Sequence, residues 1–438
     1  MIICIFLLVA IFLSFFYPSR GVPKKLVFTK DFKKVLTKAE ALEDLEYIMN
    51  RFKERHPACI KGIPEAVSKK YQIEKDNITD KVSVLKLWQT ASRILAIMKD
   101  GHTGVNYYSI EYYTLPMTFS FSKGILTCTN GKYKSYTVTR INKLSPSELY
   151  RNFTSQFSFE IESYAEYYFA EYIVSNTFLE FIGVDTSSDI EFSFTAGGKE
   201  ETAFYSFKKL NLYYSAEDLF VTFDIDTKNS IGVFTLKQCK FNEKYRDTLK
   251  AFFKDVKKHR IQSIVVDLRN NSGGNSMVCD EFIRYLDLDL DKYHSTYTFV
   301  RFGPLLKKYK NEFLTNKQYK DLLFNGRVYV LTSTSTFSAA MNFASILSDN
   351  KIGVVVGEIP GNMPSSYGNI LEFQTPNSKL CFTISSKFFI RADESKRYLP
   401  LIPDYNVSAE TALDKVEELC RRRNWFYKNQ TFSAAFSE

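Results

Sequence analysis

The second half of this chain predicts an α/β fold with mainly parallel strands covered by helices, and three observations predict it. Short apolar runs suited to buried strands recur at Ile231–Leu236, Ser263–Leu268, Arg327–Thr332 and Ile352–Gly357. Segments with apolar residues at helical spacing alternate with them, the clearest being Glu243–Lys258, where Tyr245, Leu249, Phe252 and Val256 share one side. Two of the strands run straight into polar turns that open further helices, Met277–Leu286 and Ser338–Leu347. Alternation of this kind is the pattern of a layered α/β domain.

The first half reads differently. Thr37 and Glu40 have capping-box spacing, and Leu42, Leu45, Met49 and Phe52 follow at helical intervals until Pro57. A second amphipathic helix, with Val84, Leu87, Trp88, Ala91, Leu95 and Met98 inward, is expected to run to Asp100 and to break at Gly101. From Tyr107 to about Lys209 the chain is rich in Tyr, Phe, Ser and Thr, with a strand expected at Tyr136–Ile141 and a helix at Ser145–Phe153. Glu410–Arg422 has the character of a closing helix. The organisation is thus α+β overall: residues 1–19 as a leader, 20–106 helical, 107–224 a mixed β-rich insert, and 225–438 the α/β domain.

A chain of 438 residues is too long for one core, and 45% hydrophobic with 24% charged residues marks it as globular. The net charge of +9 does not point to nucleic acid, because Lys and Arg interleave with acids and only Arg421–Arg423 forms a basic cluster. Residues 1–19 carry no charge and are largely apolar, which predicts a secretory route and a secreted, periplasmic or otherwise extracytoplasmic location. A cleaved signal peptide and a retained membrane tether both fit this segment. Beyond Cys4, six cysteines lie far apart with no C-x-x-C pair, so buried thiols are expected rather than zinc ligands, with disulfides left open. No metal or organic cofactor is expected.

The chemistry is concentrated at the two strand ends. Gly273 and Gly274 follow the strand Ser263–Leu268 in a turn able to present backbone N–H groups to an oxyanion. Ser338 sits where a helix opens, with the N–H of Ala339 unsatisfied within that helix. A serine there is either an N-cap or a nucleophile, and a nucleophile needs a base. The four histidines are His56, His102, His259 and His294. His259 and His294 lie in solvated surroundings, His56 precedes a proline at a helix stop, and His102 has small neighbours that leave its ring accessible.

Taken together, Glu54–Pro57, Lys99–Gly104, Asp267–Gly274, Thr336–Met341, Val356–Glu358 and Pro376–Leu380 resemble the S41 peptidases, the C-terminal processing or tail-specific protease group, and are most similar to its tricorn-core-like Ser/His branch. The resemblance implies a ClpP/crotonase-like spiral ββα catalytic core. It also implies that Ser338 is the nucleophile and His102 the base, with backbone groups of Gly273 or Gly274 and of Ala339 as the oxyanion hole. Where the processing branch carries a lysine base this chain has Met363, whose thioether cannot take a proton, so the Ser/His version is implied. The acid that orients the imidazole is left among Glu394, Asp393, Asp404 and Asp100. Val138–Glu148 resembles part of a PDZ-like module, with Lys143 in place of the usual glycine. The implied substrate is a peptide or protein, and the alternative is a catalytically inactive S41-fold protein that binds a peptide or a hydrophobic ligand.

Overall fold

The computed structural model describes residues 22–27, 31–106, 111–210, 219–289, 294, 296–310 and 318–421. The leader expected at residues 1–19 lies outside them. Among the described residues no helix is long and apolar enough to cross a membrane. The chain forms two compact units, one made of residues 1–214, 298–309 and 366–388, the other of residues 215–297, 310–365 and 389–438.

The second unit is built on a six-stranded sheet. Its strands, in spatial order, are β1 (Val221–Asp226), β2 (Ile231–Leu236), β3 (Ser263–Asp267), β4 (Arg327–Thr332), β5 (Gly353–Gly357) and β6 (Tyr405–Asn406). Only the β1–β2 pairing is antiparallel. Parallel strands need covered crossovers, and α1 (Glu243–Lys258), α2 (Met277–Ile283) and α3 (Ala339–Asp349) supply them. Every residue of β3 is buried, as expected of a strand covered on both faces. On one face Phe234, Ile264, Val266 and Val330 pack with Tyr245, Phe252, Phe282 and Phe343. On the other, Val265, Tyr329, Leu331 and Val356 pack with Ala412, Val416 and Cys420 of a helix over residues 412–421.

The elements differ from the sequence expectation mainly at their ends. The helix expected to reach Leu286 stops at Ile283, because Tyr285 and Leu286 continue in turns bonded to Phe282 and Ile283. A buried ion pair, Arg391 to Asp349 at the end of α3, ties down residues 391–399, with the Arg391 guanidinium also donating to Leu399 O at 3.1 Å.

The first unit has its own core. The helix Lys38–Arg55 carries the expected capping box, Glu40 N donating to the Thr37 hydroxyl and Thr37 N to the Glu40 carboxylate. Val84–Leu95 follows with Leu87, Ala91, Ile94 and Leu95 buried. Its termination corrects the sequence expectation: a short 3-10 turn, Ala96–Met98, ends at Lys99, which takes the left-handed conformation (φ 48°) foreseen for Gly101. The reason is that Asp100 and its neighbours are held by side chains, as shown below. The aromatic-rich stretch forms an antiparallel meander of Phe119–Ser122, Ile125–Cys128, Thr137–Ile141, Ile190–Ala196 and Lys199–Tyr205, backed by helices Pro146–Thr154 and Glu162–Tyr172. Far along the chain, the fully buried Asp44 carboxylate accepts from the backbone N–H groups of Asn377 and Ser378, fixing the turn between strands Tyr367–Gln374 and Cys381–Ile390.

The core makes one clear demand. Phe252 is fully buried, touches the rings of Phe223, Phe234 and Phe253, and lies where a Cβ on Gly232 would fall 2.9 Å from its ring. Phe252→Ala is expected to cost about 3–5 kcal/mol of stability, read from the midpoint of urea unfolding at unchanged slope.

Candidate active site

The end of β4 leads through a polar turn into Ser338. This residue has φ 53° and ψ −121°, a left-handed setting that an L-residue adopts at a cost of order 1–3 kcal/mol. Its side chain makes no capping hydrogen bond to the helix it opens, which sets aside the reading of Ser338 as an N-cap. A serine on a strained strand-to-helix turn presents its hydroxyl outward, and here the residue is half-buried. Its own N–H donates to the buried Asn362 side chain at 2.7 Å.

Neighbouring bonds hold the turn in this state. Thr336 donates its hydroxyl to Leu268 O at 2.8 Å and accepts from Ser333 N at 2.9 Å. Asn270 N donates to the Ser333 hydroxyl at 3.0 Å, and Phe337 N donates to Asn271 O at 2.9 Å. The serine turn and the glycine turn are therefore bonded along their length. At the glycine turn, a Cβ on Gly273 would meet Ser338 Cβ at 2.7 Å and Ala339 N at 2.9 Å, so only glycine permits this approach at φ 101°.

The four residues expected in unit two, Ser338, Ala339, Gly273 and Gly274, are thus brought together. Their backbone donors are not equivalent. Gly273 N–H is already used, donating to Asn271 Oδ1 at 2.9 Å, and Gly273 O accepts from Cys239 N at 3.0 Å. Gly274 is exposed at φ 134° and packs so closely on Cys239 that a Cβ would fall 2.4 Å from its carbonyl oxygen. Of the two glycines, Gly274 is the one whose N–H is not drawn into the turn's own bonds. Asn271, in the same turn, is fully buried; its amide donates to Leu236 O at 2.7 Å.

The acids expected near the C-terminal end of this unit have other work. Asp393 caps a 3-10 turn, accepts from Ser395 and pairs with Lys396, which holds its carboxyl down to about 2. Glu394 lies exposed in that same turn. Asp404 accepts from Val355 N at 2.8 Å beside the β5–β6 pairing. Glu358, which ends the segment Val356–Glu358, accepts from Thr334 N and Ala409 N through its two oxygens, at 2.9 and 3.0 Å.

His102 and Asp100 lie together in the first unit. Asp100 N donates to the Ser158 hydroxyl at 2.8 Å, Gly101 N to Glu160 at 3.3 Å, and His102 N to Asp100 Oδ1 at 2.9 Å. The imidazole Nδ1 stands 3.8 Å from the same oxygen, ion-pair distance but too long for a hydrogen bond. Burial lowers the imidazole from its ordinary value of 6.5, with the Asp100 charge opposing that shift. Asp100 is fully buried, which by itself would raise its carboxyl. The hydrogen bond with His56, at 3.1 Å, the charges of His56 and His102 and a hydrogen bond from Thr103 together outweigh this and hold it below the ordinary carboxylate range. His259 and His294 are exposed, as their sequence setting implied.

Asp100, His102 and Glu160 each present one ligand-type atom within 4.8 Å of the others, the kind of grouping that holds a cation elsewhere. Here both Asp100 oxygens already accept protein hydrogen bonds, so the grouping is accounted for as loop architecture. The six described cysteines are free and buried, and burial pushes Cys59 and Cys239 up to about 12 and Cys381 up to about 11. A cavity of about 110 Å³ lies beside the His102 loop, walled by Trp88, Phe157, Tyr168, Phe178 and Phe181 and reaching Gly101 and Thr103.

A mainly parallel sheet whose fourth strand ends in a strained serine elbow, faced by a glycine turn, defines the class: an α/β protein with the framework of a serine hydrolase. Residues 230–407 match the family described as Peptidase family S41. Over 130 residues it is 30% identical to a protein of Staphylococcus haemolyticus described as a probable CtpA-like serine protease, covering 30% of this chain and 24% of that one. The chain thus matches about a quarter of the length of that relative. The fold is shared with mature CPAF, at a TM-score of 0.64 and 11% identity over 87% of this chain and 97% of that one. It is shared equally with mature CPAF complexed with lactacystin, at a TM-score of 0.63 and 11% identity over 87% and 98%.

Asn362 is the testable support of the elbow. Asn362→Leu leaves Ser338 N–H without its buried acceptor and is expected to cost about 1–3 kcal/mol in urea unfolding.

Proposed function

We propose that this protein is a serine peptidase that hydrolyses peptide bonds through an acyl-enzyme, with Ser338 as nucleophile and His102 as general base. The observation that carries the reading is the Ser338 elbow: a hydroxyl released from capping, at a helix mouth where Ala340 N–H and Met341 N–H turn back to Phe337 O and Ala339 N–H is left open. His102 takes the Ser338 proton as the hydroxyl oxygen attacks the scissile carbonyl carbon. The carbonyl electrons move onto oxygen, where Ala339 N–H and Gly274 N–H receive them. As the tetrahedral intermediate collapses, the C–N bond breaks and the imidazolium gives its proton to the departing amine. Water then attacks the acyl-enzyme by the same relay, releasing the acid and restoring the serine.

Asp100 is the orienting acid of this reading, supported by the 3.8 Å between its Oδ1 and His102 Nδ1. The charge of Asp100 favours the imidazolium that forms when the proton arrives. The apolar leader supports a secreted or membrane-tethered location, outside the cytoplasm. A second reading, a silent binding protein for a peptide or a hydrophobic ligand, draws on the aromatic-walled cavity beside Gly101 and Thr103.

An active-site-directed fluorophosphonate separates the two. The purified protein is expected to label, and Ser338→Ala to lose labelling entirely while keeping its fold by circular dichroism. Peptide hydrolysis by that variant is expected to fall by roughly 10⁴–10⁶-fold. Well-folded protein that refuses the label would favour the binding reading. The pH dependence follows from burial of His102: a base with a lowered pKa must be taken to lower pH before it is protonated. The labelling rate is therefore expected to be at its plateau at neutral pH and to fall on acidification through an inflection below the ordinary histidine value of 6.5.

A further inference from the structure

We infer that His56 is a positioning residue for the general base: through its Nε2–H it fixes which way the buried Asp100 carboxylate points, and so presents Oδ1 to His102. The inference rests on the Ser338–His102 reading above and extends it by one residue that neither the family match nor the mechanism assigns.

The geometry is that of a chain with one direction. Ala58 N–H, which can only donate, points at His56 Nδ1 at 3.1 Å. That nitrogen is therefore the acceptor, and the ring hydrogen sits on Nε2. Nε2 lies 3.1 Å from Asp100 Oδ2, to which it donates. With Oδ2 so engaged, Oδ1 is turned toward the His102 backbone N–H at 2.9 Å and the His102 Nδ1 at 3.8 Å. A carboxylate held at one oxygen cannot rotate to offer the other.

The surroundings keep the His56 ring still. It is fully buried, with Phe52 and Tyr367 against it at ring-centre distances of 4.9 and 4.4 Å. Its backbone is fixed at both ends, N–H to Phe52 O at 3.0 Å and carbonyl to the Arg301 guanidinium at 2.6 Å. The capping duty alone does not require histidine, because Asn, Asp or Ser accept from a helix N–H equally well. A space-filling duty would be met by phenylalanine. Only a ring with a second nitrogen both caps Ala58 and reaches Asp100. The titratable and charged groups around this chain are Tyr367, Arg301 with Cys59, Arg55 and Glu54 near His56, and Glu160 near His102.

The test uses the full chain and two substitutions, with a rhodamine fluorophosphonate as probe. His56→Phe keeps the ring volume and loses both nitrogens, whereas His56→Gln keeps an N–H donor at the position of Nε2. His56→Phe is expected to label at least about tenfold more slowly, with its acid-side inflection moved to lower pH, because an Asp100 without its donor loses charge and supports the imidazolium less. His56→Gln is expected to retain the wild-type inflection and a rate within about threefold of it. A folded His56→Phe with the wild-type rate and inflection overturns the inference, and so does a His56→Gln that behaves like His56→Phe.

Histidine-selective ¹⁵N spectroscopy covers the remaining outcomes. In the wild type the ring assigned to His56 is expected to show the Nε2–H tautomer at neutral pH; the Nδ1–H tautomer overturns the inference whether or not His56→Phe folds. If the wild type does not label, the peptidase reading fails, and the His102 midpoint then decides alone. It is expected to fall in His56→Phe and to hold in His56→Gln, and a midpoint equal in all three proteins overturns the inference.

Discussion

The bond network joining the turn after β3 to the turn after β4 is the constraint on which the rest of the Ser338 elbow depends. Asn271 stands at its centre: its carbonyl receives Phe337 N–H, its side-chain oxygen receives Gly273 N–H, and its amide reaches Leu236 O. Three neighbouring strands are thereby tied at their C-terminal ends by the backbone and side chain of one fully buried residue. An elbow in a sparsely populated conformation persists only where its surroundings over-determine it. Thr336, Ser333, Asn270 and Asn362 complete that determination around Ser338.

In the first unit the organising element is a charge. Asp100 has no exposed surface, and an ionised carboxylate in such a place persists only with donors around it. His56, His102 N–H and the fixed loop supply them. The loop is shaped by this requirement more than by helix propensity, which is why the left-handed residue that ends the helix is Lys99 rather than the nearby glycine. Ser158 and Glu160, distant in sequence, hold Asp100 and Gly101 from the other side.

Periodicity made the β2 to β5 strands and their covering helices legible, because strands buried on both faces read as continuous apolar runs. Gly273, Gly274 and Ser338 were legible for a related reason: each sits where a regular element must stop. What could not be read was any feature made by distant partners. Nothing local marks Asn362 as the acceptor for Ser338 N–H, or Asp44 as the anchor of the turn at Asn377 and Ser378. His56 was visible as a residue before a proline, but its second nitrogen acquires meaning only against Asp100. Likewise, Asn271 Oδ1 consumes the Gly273 donor, so the sequence could name two glycines without telling them apart.

The donors at the Ser338 helix mouth belong to the main chain, and this has a consequence for how such a protein can change. A side-chain donor can be deleted by one codon; the N–H of Ala339 survives every replacement except proline. On the proposed reading, lineages that lose the Ser338 hydroxyl would thus inherit an intact main-chain donor at the notch, ready to grip the carboxylate end of a polypeptide without cutting it. Retirement from chemistry and recruitment as a receptor are, on this scaffold, separated by very few steps.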